Sequence, residues 1–397
     1  MTTYQTNALA HGIGNSAVSS NWYSRPDDQK FLSLDDMLAY KKIDAQNMVS
    51  RTVDTHKIKV IGEYDEAHPS RGDVRIEYLD DNNREHNNTP TNWSFGQLSQ
   101  LAGAPSGYLR DLPAPLAADC LQWGLKYNRG KELIKVFGHS AENGELRAAT
   151  GPDYGRIYDW EILEPIKNLV DQSGGRWKVP GMMIGSRDGM AIYDPEVPVT
   201  ASTTTLFASD RDVFVFLVDD RNPIEIGKLS TGEPDLMFRG FYAWNSETGS
   251  KTAGIAAMYL RGVCMNRNLW GVENFHEIKI RHTKFAPDRF AQEARPALQS
   301  FANGSAATFL EGVRAAKAVK VATTDDERLE FLVKRAGLSG RMAKSAAARH
   351  LAEEGRPVET VWDVAQAITA IARDIPHQDA RIDCERKAGM LLDRVAA

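Results

Sequence analysis

The sequence predicts an α+β fold: a mostly antiparallel sheet with a helical insertion, followed by a C-terminal helical region. Three observations carry this. Apolar and polar residues alternate in short runs before residue 285, they recur at helical spacing between about 93 and 128, and the helical period resumes beyond Pro287 and continues to Val395. A chain of 397 residues exceeds the roughly 250 to 300 at which one core stops growing. It is therefore divided into a flexible arm (1–30), a β-rich core (31–285) and a helical region (286–397).

Met1 to Ser24 is rich in Thr, Asn, Gly and Ser without periodicity, as expected of a mobile arm. In His56 to Tyr64, Ile58 and Val60 face away from Lys57 and Lys59; Asp73 to Leu79 repeats the alternation, and the pair reads as a hairpin across Pro69 and Gly72. Asp80 to Asn92 is polar and is expected to be a loop. Trp93 to Asn128 is the helical insertion: Phe95, Leu98 and Leu101 share a face, and Pro105 and Pro113 stand near helix starts. Leu133 to Phe137 and Glu145 to Ala149 flank Glu142-Asn143-Gly144, a turn whose Asn and Gly tolerate positive φ. Asp159 offers an N-cap for a helix running to about Asp171.

Thr203 to Ala208 and Val213 to Val218 are joined across Ser209-Asp210-Arg211-Asp212, and the second, apolar on both faces, is expected at the centre of the sheet. Leu236 to Asn245 and Lys251 to Val263 follow, the latter expected to turn helical towards its end because of its Ala, Met and Leu. Phe275 to Thr283 reads as a half-buried strand. The helical region is expected to kink at Pro296 and break at Thr323 to Asp326, with Cys384, Ala388, Leu391 and Val395 forming a terminal face.

A composition 42% hydrophobic and 25% charged is that of an ordinary globular protein. The formal charge of -5 excludes a chain that coats nucleic acid by being basic everywhere, so such affinity must come from a local strip. No apolar run approaches the roughly 18 residues of a membrane span, and Met1 to Ser20 lacks the features of an export signal, so a cytoplasmic location is expected. Cys120, Cys264 and Cys384 lack the paired spacing of a zinc ribbon or disulfide scaffold; they are expected to be reduced and structural, with no metal and no cofactor.

Catalytic signatures are missing: no phosphate loop, no Gly-Xaa-Ser-Xaa-Gly elbow, no His-Glu-Xaa-Xaa-His pair, no dinucleotide fingerprint. His276 and His282 would stand about 20 Å apart along one strand, too far to share an ion. Asp219-Asp220 could supply metal ligands at a strand end, but reads better as an acidic turn. More informative is the stretch from Arg239 to Lys284. Here Arg239, Arg261, Arg267, Lys279, Arg281 and Lys284 offer cations for phosphates, and Trp244 a ring for base stacking. Lys279 and Arg281 should lie opposite Ile278 and Ile280. Against this stands the simpler reading that Tyr242, Trp244 and Trp270 are core. A second basic stretch, Lys334 to Arg349, contains Gly337-Leu338-Ser339-Gly340 between helical segments, as in a helix-turn-helix, though a helix-Gly-helix connection is common in any bundle and helical packing is the better explanation from sequence.

Several blocks together resemble the phage- and plasmid-borne family called domain of unknown function 932. They are Trp93-Ser94-Phe95, Leu101 to Pro105, Leu109 to Pro113, Arg147 to Thr150, Tyr154-Gly155-Arg156, Ala208 to Asp212, Arg239-Gly240-Phe241, Trp244 to Glu247, Gly249-Ser250-Lys251, Cys264 to Arg267 and Ile280 to Thr283, with Trp362 to Ile371 similar to its terminal helix. The resemblance implies a mobile-element origin and a cytosolic location, with no established activity and no catalytic residue. Its strands followed by helices are loosely similar to single-strand annealing recombinases of the Red-beta and Erf type. The expectation is a DNA-binding protein that holds or anneals single strands in recombination or replication without a chemical step, acting as a homo-oligomer. The alternatives are an inhibitor that binds a host defence or restriction protein and, last, a metal-dependent enzyme.

Overall fold

The computed structural model describes residues 25–396 apart from 65–73, 80–83, 128–131, 141–143, 180–182, 188–189, 194–198, 202–203, 220, 229–231, 233, 262–266, 269–276 and 376–377. Residues 1–24 of the expected N-terminal arm, the turn residues Pro69, Gly72, Glu142 and Asn143, and the candidates Asp220, Cys264, Trp270 and His276 lie outside the described residues; the rest of the expected arm, 25–30, is ordered, with a short helical turn at Asp27–Gln29 and Lys30 in β1.

Alternation in the first third builds a mixed sheet in the order β2 (Met48–Asp54), β6 (Leu133–His139), β7 (Gly144–Thr150), β5 (Glu85–Pro90), β4 (Val74–Leu79), β3 (Lys59–Gly62), antiparallel except between β5 and β7. The register Val60↔Ile76 sets the apolar face of the β3–β4 pair inward, as the sequence requires. That face packs on the helical insertion, which consists of α2 (Asn92–Leu101), α3 (Ser106–Asp111) and α4 (Ala114–Tyr127). Leu98, Leu121, Ile76 and Ile134 are sealed between them, each such side chain worth roughly 1.5–3 kcal/mol. The polar stretch expected as a loop instead contains β5. Its Asn88 is buried, accepting from Tyr78 Oη (2.9 Å) and donating to the Gly144 carbonyl (3.1 Å), so side-chain hydrogen bonds hold a strand that has no apolar alternation.

The second sheet is antiparallel, in the order β1 (Lys30–Phe31), β11 (Leu206–Ala208), β12 (Val213–Asp219), β14 (Pro234–Asn245), β15 (Ala253–Arg261), β16 (Arg267–Asn268). β8 (Trp177–Lys178) pairs with β12, β13 (Ile224–Lys228) with β14, and β17 (Glu277–Ile280) with β15, while β9 (Met183–Arg187) and β10 (Met190–Tyr193) form a separate hairpin. β12 is central and buried throughout. Val213, Val215 and Leu217 face the main core, and Phe214, Phe216 and Val218 face a second, aromatic cluster. β15 does not turn helical. Its residues from Gly254 to Arg261 pair with β14, and that ladder outweighs the helical preference of its Ala, Met and Leu residues.

The main core joins this sheet to α1 (Leu34–Gln46), α5 (Asp159–Gln172) and the C-terminal helices: α6 (Arg295–Asn303), α7 (Ala307–Ala318), α8 (Asp325–Lys334), α9 (Gly340–Glu354), α10 (Val361–Ala372) and α11 (Gln378–Ala396). Phe309 stacks on Tyr259 at 3.7 Å between ring centroids, fastening α7 to β15. Helical backbone continues without a break from Ala286 to Asn303, and the irregularity is a π-helical turn, Phe290–Ala294, just before Pro296, the second residue of α6. The break near Thr323 is a capping box in which Thr324 and Glu327 close the start of α8. Among the described residues no helix is long and apolar enough to cross a membrane.

Candidate functional site

The run from Arg239 to Lys284 does not form one exposed surface. Trp244 is fully buried in the aromatic cluster beside Tyr242 and donates from Nε1 to Thr252 at 3.2 Å, so the expected stacking ring is core. Its ring covers Gly254 so closely that a Cβ there would fall 2.3 Å from it. Arg261, also expected to be exposed, is only 4% exposed and forms a two-pronged pair with Asp235 (2.8 and 2.9 Å), with Glu354 on its far side. Arg239 is half-buried, donates to the Gly304 carbonyl (2.7 Å) and lies over the Phe301 ring. Both cations are engaged in joining the sheet to the C-terminal helices. Arg267 stands on β16; its side chain is outside the described residues.

What remains is at the edge of the sheet. Ile280 is buried in the main core, Lys279 is partly covered and 4.0 Å from Asp383, and Arg281 and Lys284 are exposed. Phe285, beside the Lys284 ammonium, is 64% exposed. This segment is anchored rather than loose. His282 donates to the Gly155 carbonyl (3.1 Å) and stacks on Tyr154, and Gly155 lies so close to Thr283 that a Cβ would meet its carbonyl. Burial holds the His282 imidazole down at about 4, so it stays neutral.

Sequence reading missed the largest concentration of buried charge. It lies where the two sheets meet, at the end of β14, and is assembled from blocks far apart in the chain. Lys41 on α1 is 2% exposed, pairs with Asp159 at 2.9 Å and donates to the Ser209 carbonyl at 2.7 Å. Asp44, one turn along, pairs with Arg147 of β7 at 2.7 Å. Asn245 donates to Asp159 and to the Ile157 carbonyl, each at 2.8 Å, and Glu247 accepts from the Asp159 backbone N–H at 2.8 Å. Arg156 donates to the Glu247 carbonyl and lies on the face of Phe137, 3.8 Å from its centroid. Asp212, tied to Lys251 (2.7 Å) and Arg25, closes the far side. Asp159 is thus not the N-cap of α5 but its first residue, after Tyr158, because its carboxylate is engaged by Lys41 and Asn245.

The electrostatics follow from burial. Desolvation and the neighbouring Asp159 push Glu247 up to about 7, and desolvation raises Asp159 too. Burial would lower Lys41, but Asp159, Glu247 and Asp44 outweigh it and keep the ammonium charged. Burial would likewise raise Asp212, yet Arg25 and Lys251 hold it well below the usual carboxylate range. Two buried carboxyls therefore compete for one ammonium, and burial favours the protonated form of the one that Lys41 does not pair with directly, Glu247.

The carboxylates weighed for a metal behave otherwise. Asp219 is 1% exposed and accepts from Arg176 (2.6 Å) and from the Arg221 N–H, as the acidic turn predicts. Among the described residues no group of three His, Cys, Asp or Glu side chains could hold a metal ion. Cys384 is buried, its thiol pushed up to about 11 by desolvation, and Cys120 is half-buried.

A family model described as a domain of unknown function, DUF932, matches residues 150–381. The matched region holds Tyr154, Arg156, Asp159, Asp212, Asn245, Glu247 and Lys251 of the polar junction, the whole second basic stretch, and Arg281 to Phe285. No curated protein and no solved structure matches the chain.

Proposed function

The chain belongs to this DUF932 family, and we propose that it is a mobile-element protein that binds single-stranded nucleic acid, in recombination or replication, without a chemical step. One observation carries the reading: the exposed cations Arg281 and Lys284 bracket the edge of the second sheet beside the exposed ring of Phe285, on a backbone fixed by Gly155 and His282. Cations that follow a phosphate backbone beside a ring free to stack are the usual means of holding a strand without reading its sequence. The acidic net charge confines binding to such a strip, which suits a homo-oligomer that aligns several of them.

The test is fluorescence anisotropy with a labelled oligo-dT strand. Arg281→Glu with Lys284→Glu should weaken binding about tenfold or more and flatten the salt dependence, each lost phosphate contact removing about 0.7 from the logarithmic slope. Phe285→Ala should weaken binding without changing that slope. A folded double variant with unchanged affinity and slope would remove this edge from consideration.

A second reading, a protein partner such as a host defence factor, is favoured by α4. Leu116, Trp123 and Tyr127 are 49%, 68% and 55% exposed on one face, with the Trp123 and Tyr127 rings 4.4 Å apart. Exposed aromatic residues of this kind are typical anchors of protein interfaces.

A further inference from the structure

We infer that α8, the turn 335–339 and α9 form a helix-turn-helix that docks α9 in the major groove of duplex DNA, a site separate from the single-strand edge. From the sequence alone, Gly337-Leu338-Ser339-Gly340 is better explained as a connection within a bundle. The burial pattern separates the two readings. Leu332, Ala336, Leu338, Ala343 and Ala346 are 5% exposed or less and face the main core, so the two helices and their turn share one buried seam. Gly337, at φ +68 with nothing within 4 Å of a would-be Cβ, is needed for its backbone conformation and not for space. The Leu338 N–H returns to the Leu332 carbonyl at 3.1 Å, and the Ser339 hydroxyl caps α9 by accepting from Met342 N–H at 3.3 Å. The turn is therefore fixed at both ends.

A helix packed inside a bundle is covered on several sides, whereas α9 is open along one whole face. Arg341, Lys344, Ser345, Ala348 and Leu351 are all exposed, and α10 supports the helix from behind. A helix with its side chains, about 10–12 Å across, matches the roughly 12 Å major groove. The open face begins with Arg341, Lys344 and Ser345, side chains that can donate to guanine and phosphate oxygens, and small residues follow. Arg335 opens the turn, and Lys387 of α11 reaches the Gly337 carbonyl (3.2 Å) while its side chain stays exposed. From Phe331 to Ala352 there is no Asp or Glu.

Of the four acids of α8, Glu330 pairs with Lys334 at 2.6 Å, and the other three, Asp325, Asp326 and Glu327, lie at its other end, a helix length of about 15 Å from the turn. There Asp325 pairs with Arg328 and Glu327 closes the cap, leaving the turn and the start of α9 as the side that meets phosphate. This charge pattern is complementary to a polyanion, and a helix open along one face fits the groove of a duplex better than an unpaired strand.

The experiment compares a labelled mixed-sequence duplex of about three helical turns with a labelled oligo-dT strand, using the full chain at low salt. Arg341→Glu with Lys344→Glu should weaken duplex binding at least about tenfold while oligo-dT binding and melting temperature stay at the parent values. Arg281→Glu with Lys284→Glu should do the reverse, so the two sites can fail independently. Arg341→Lys should restore most of the non-specific duplex affinity. A parent protein that does not bind the duplex, or an Arg341/Lys344 variant that binds it as the parent does, overturns the proposal, and the face is then a protein-docking surface.

Discussion

Replacing Glu247 by Gln tests whether the polar junction holds an exchangeable proton. The carboxyl is raised from an ordinary 4.5 to about 7 by burial and by Asp159. Between those values the folded protein binds a proton that the unfolded chain has released. Stability from this group is therefore greatest below about 4.5 and is lost as pH climbs through 7. Some 2.5 units at 1.36 kcal/mol each set a ceiling of about 3 kcal/mol on that loss. Gln imitates the protonated carboxyl: its Oε1 can still accept from the Asp159 N–H, Asp159 remains to balance Lys41, and it has nothing to titrate. Urea unfolding of parent and variant across about pH 5 to 8 should give a stability difference that moves in favour of the variant by up to about 3 kcal/mol as pH rises. Asp212, held low by Arg25 and Lys251 in both proteins, cancels. A difference that is flat with pH, or that moves against the variant, would refute the assignment of the proton to Glu247.

Removing Arg261 by Arg261→Ala should cost about 3–5 kcal/mol in chemical denaturation, because Asp235 is then left buried without its partner. Pairing that change with Asp235→Leu should recover a large part of the loss, which a nucleic-acid contact at Arg261 would not allow. Multi-angle light scattering should find a homo-oligomer at micromolar concentration. Trp123→Ala with Tyr127→Ala should reduce it to a monomer if α4 is the face where copies meet, and leave it intact if that face takes a different protein.

The strands that alternate or are apolar on both faces were legible in the sequence, since burial on one face or two leaves a mark in hydrophobic order. β12 and the β3–β4 pair are examples. So was the helical insertion, whose Leu98 packs inward as the spacing requires. β5 was not, because its stability comes from Asn88 and its partners rather than from apolar alternation. The end of β15 was misread because local propensity favoured a helix, while its pairing, Leu260 with Phe238 and Arg261 with Met237, is made at the open end of the β14–β15 hairpin, away from its turn. Tertiary pairing of this kind leaves no local signal.

For the site, the residue types were legible and their partners were not. Trp244 and Arg261 looked like binding residues because aromatic rings and cations serve cores and ligands equally, and only the position of Asp235, 26 residues away, decides for Arg261. The blocks Arg147 to Thr150, Tyr154 to Arg156, Ser209 to Asp212 and Asn245 to Lys251 stood out as family markers, yet nothing local said that they meet. They converge because each follows or ends a buried strand at the same end of the two sheets, where Lys41 supplies the charge that makes burying Asp159 and Glu247 tolerable. An ion cluster this costly to desolvate is weak evidence for added stability and better evidence for a fixed arrangement. Here it fixes the 154–159 loop against the 246–251 turn, and through Gly155 and His282 that loop in turn sets the edge that carries Arg281. The buried junction thus acts on the exposed edge through position and not through chemistry.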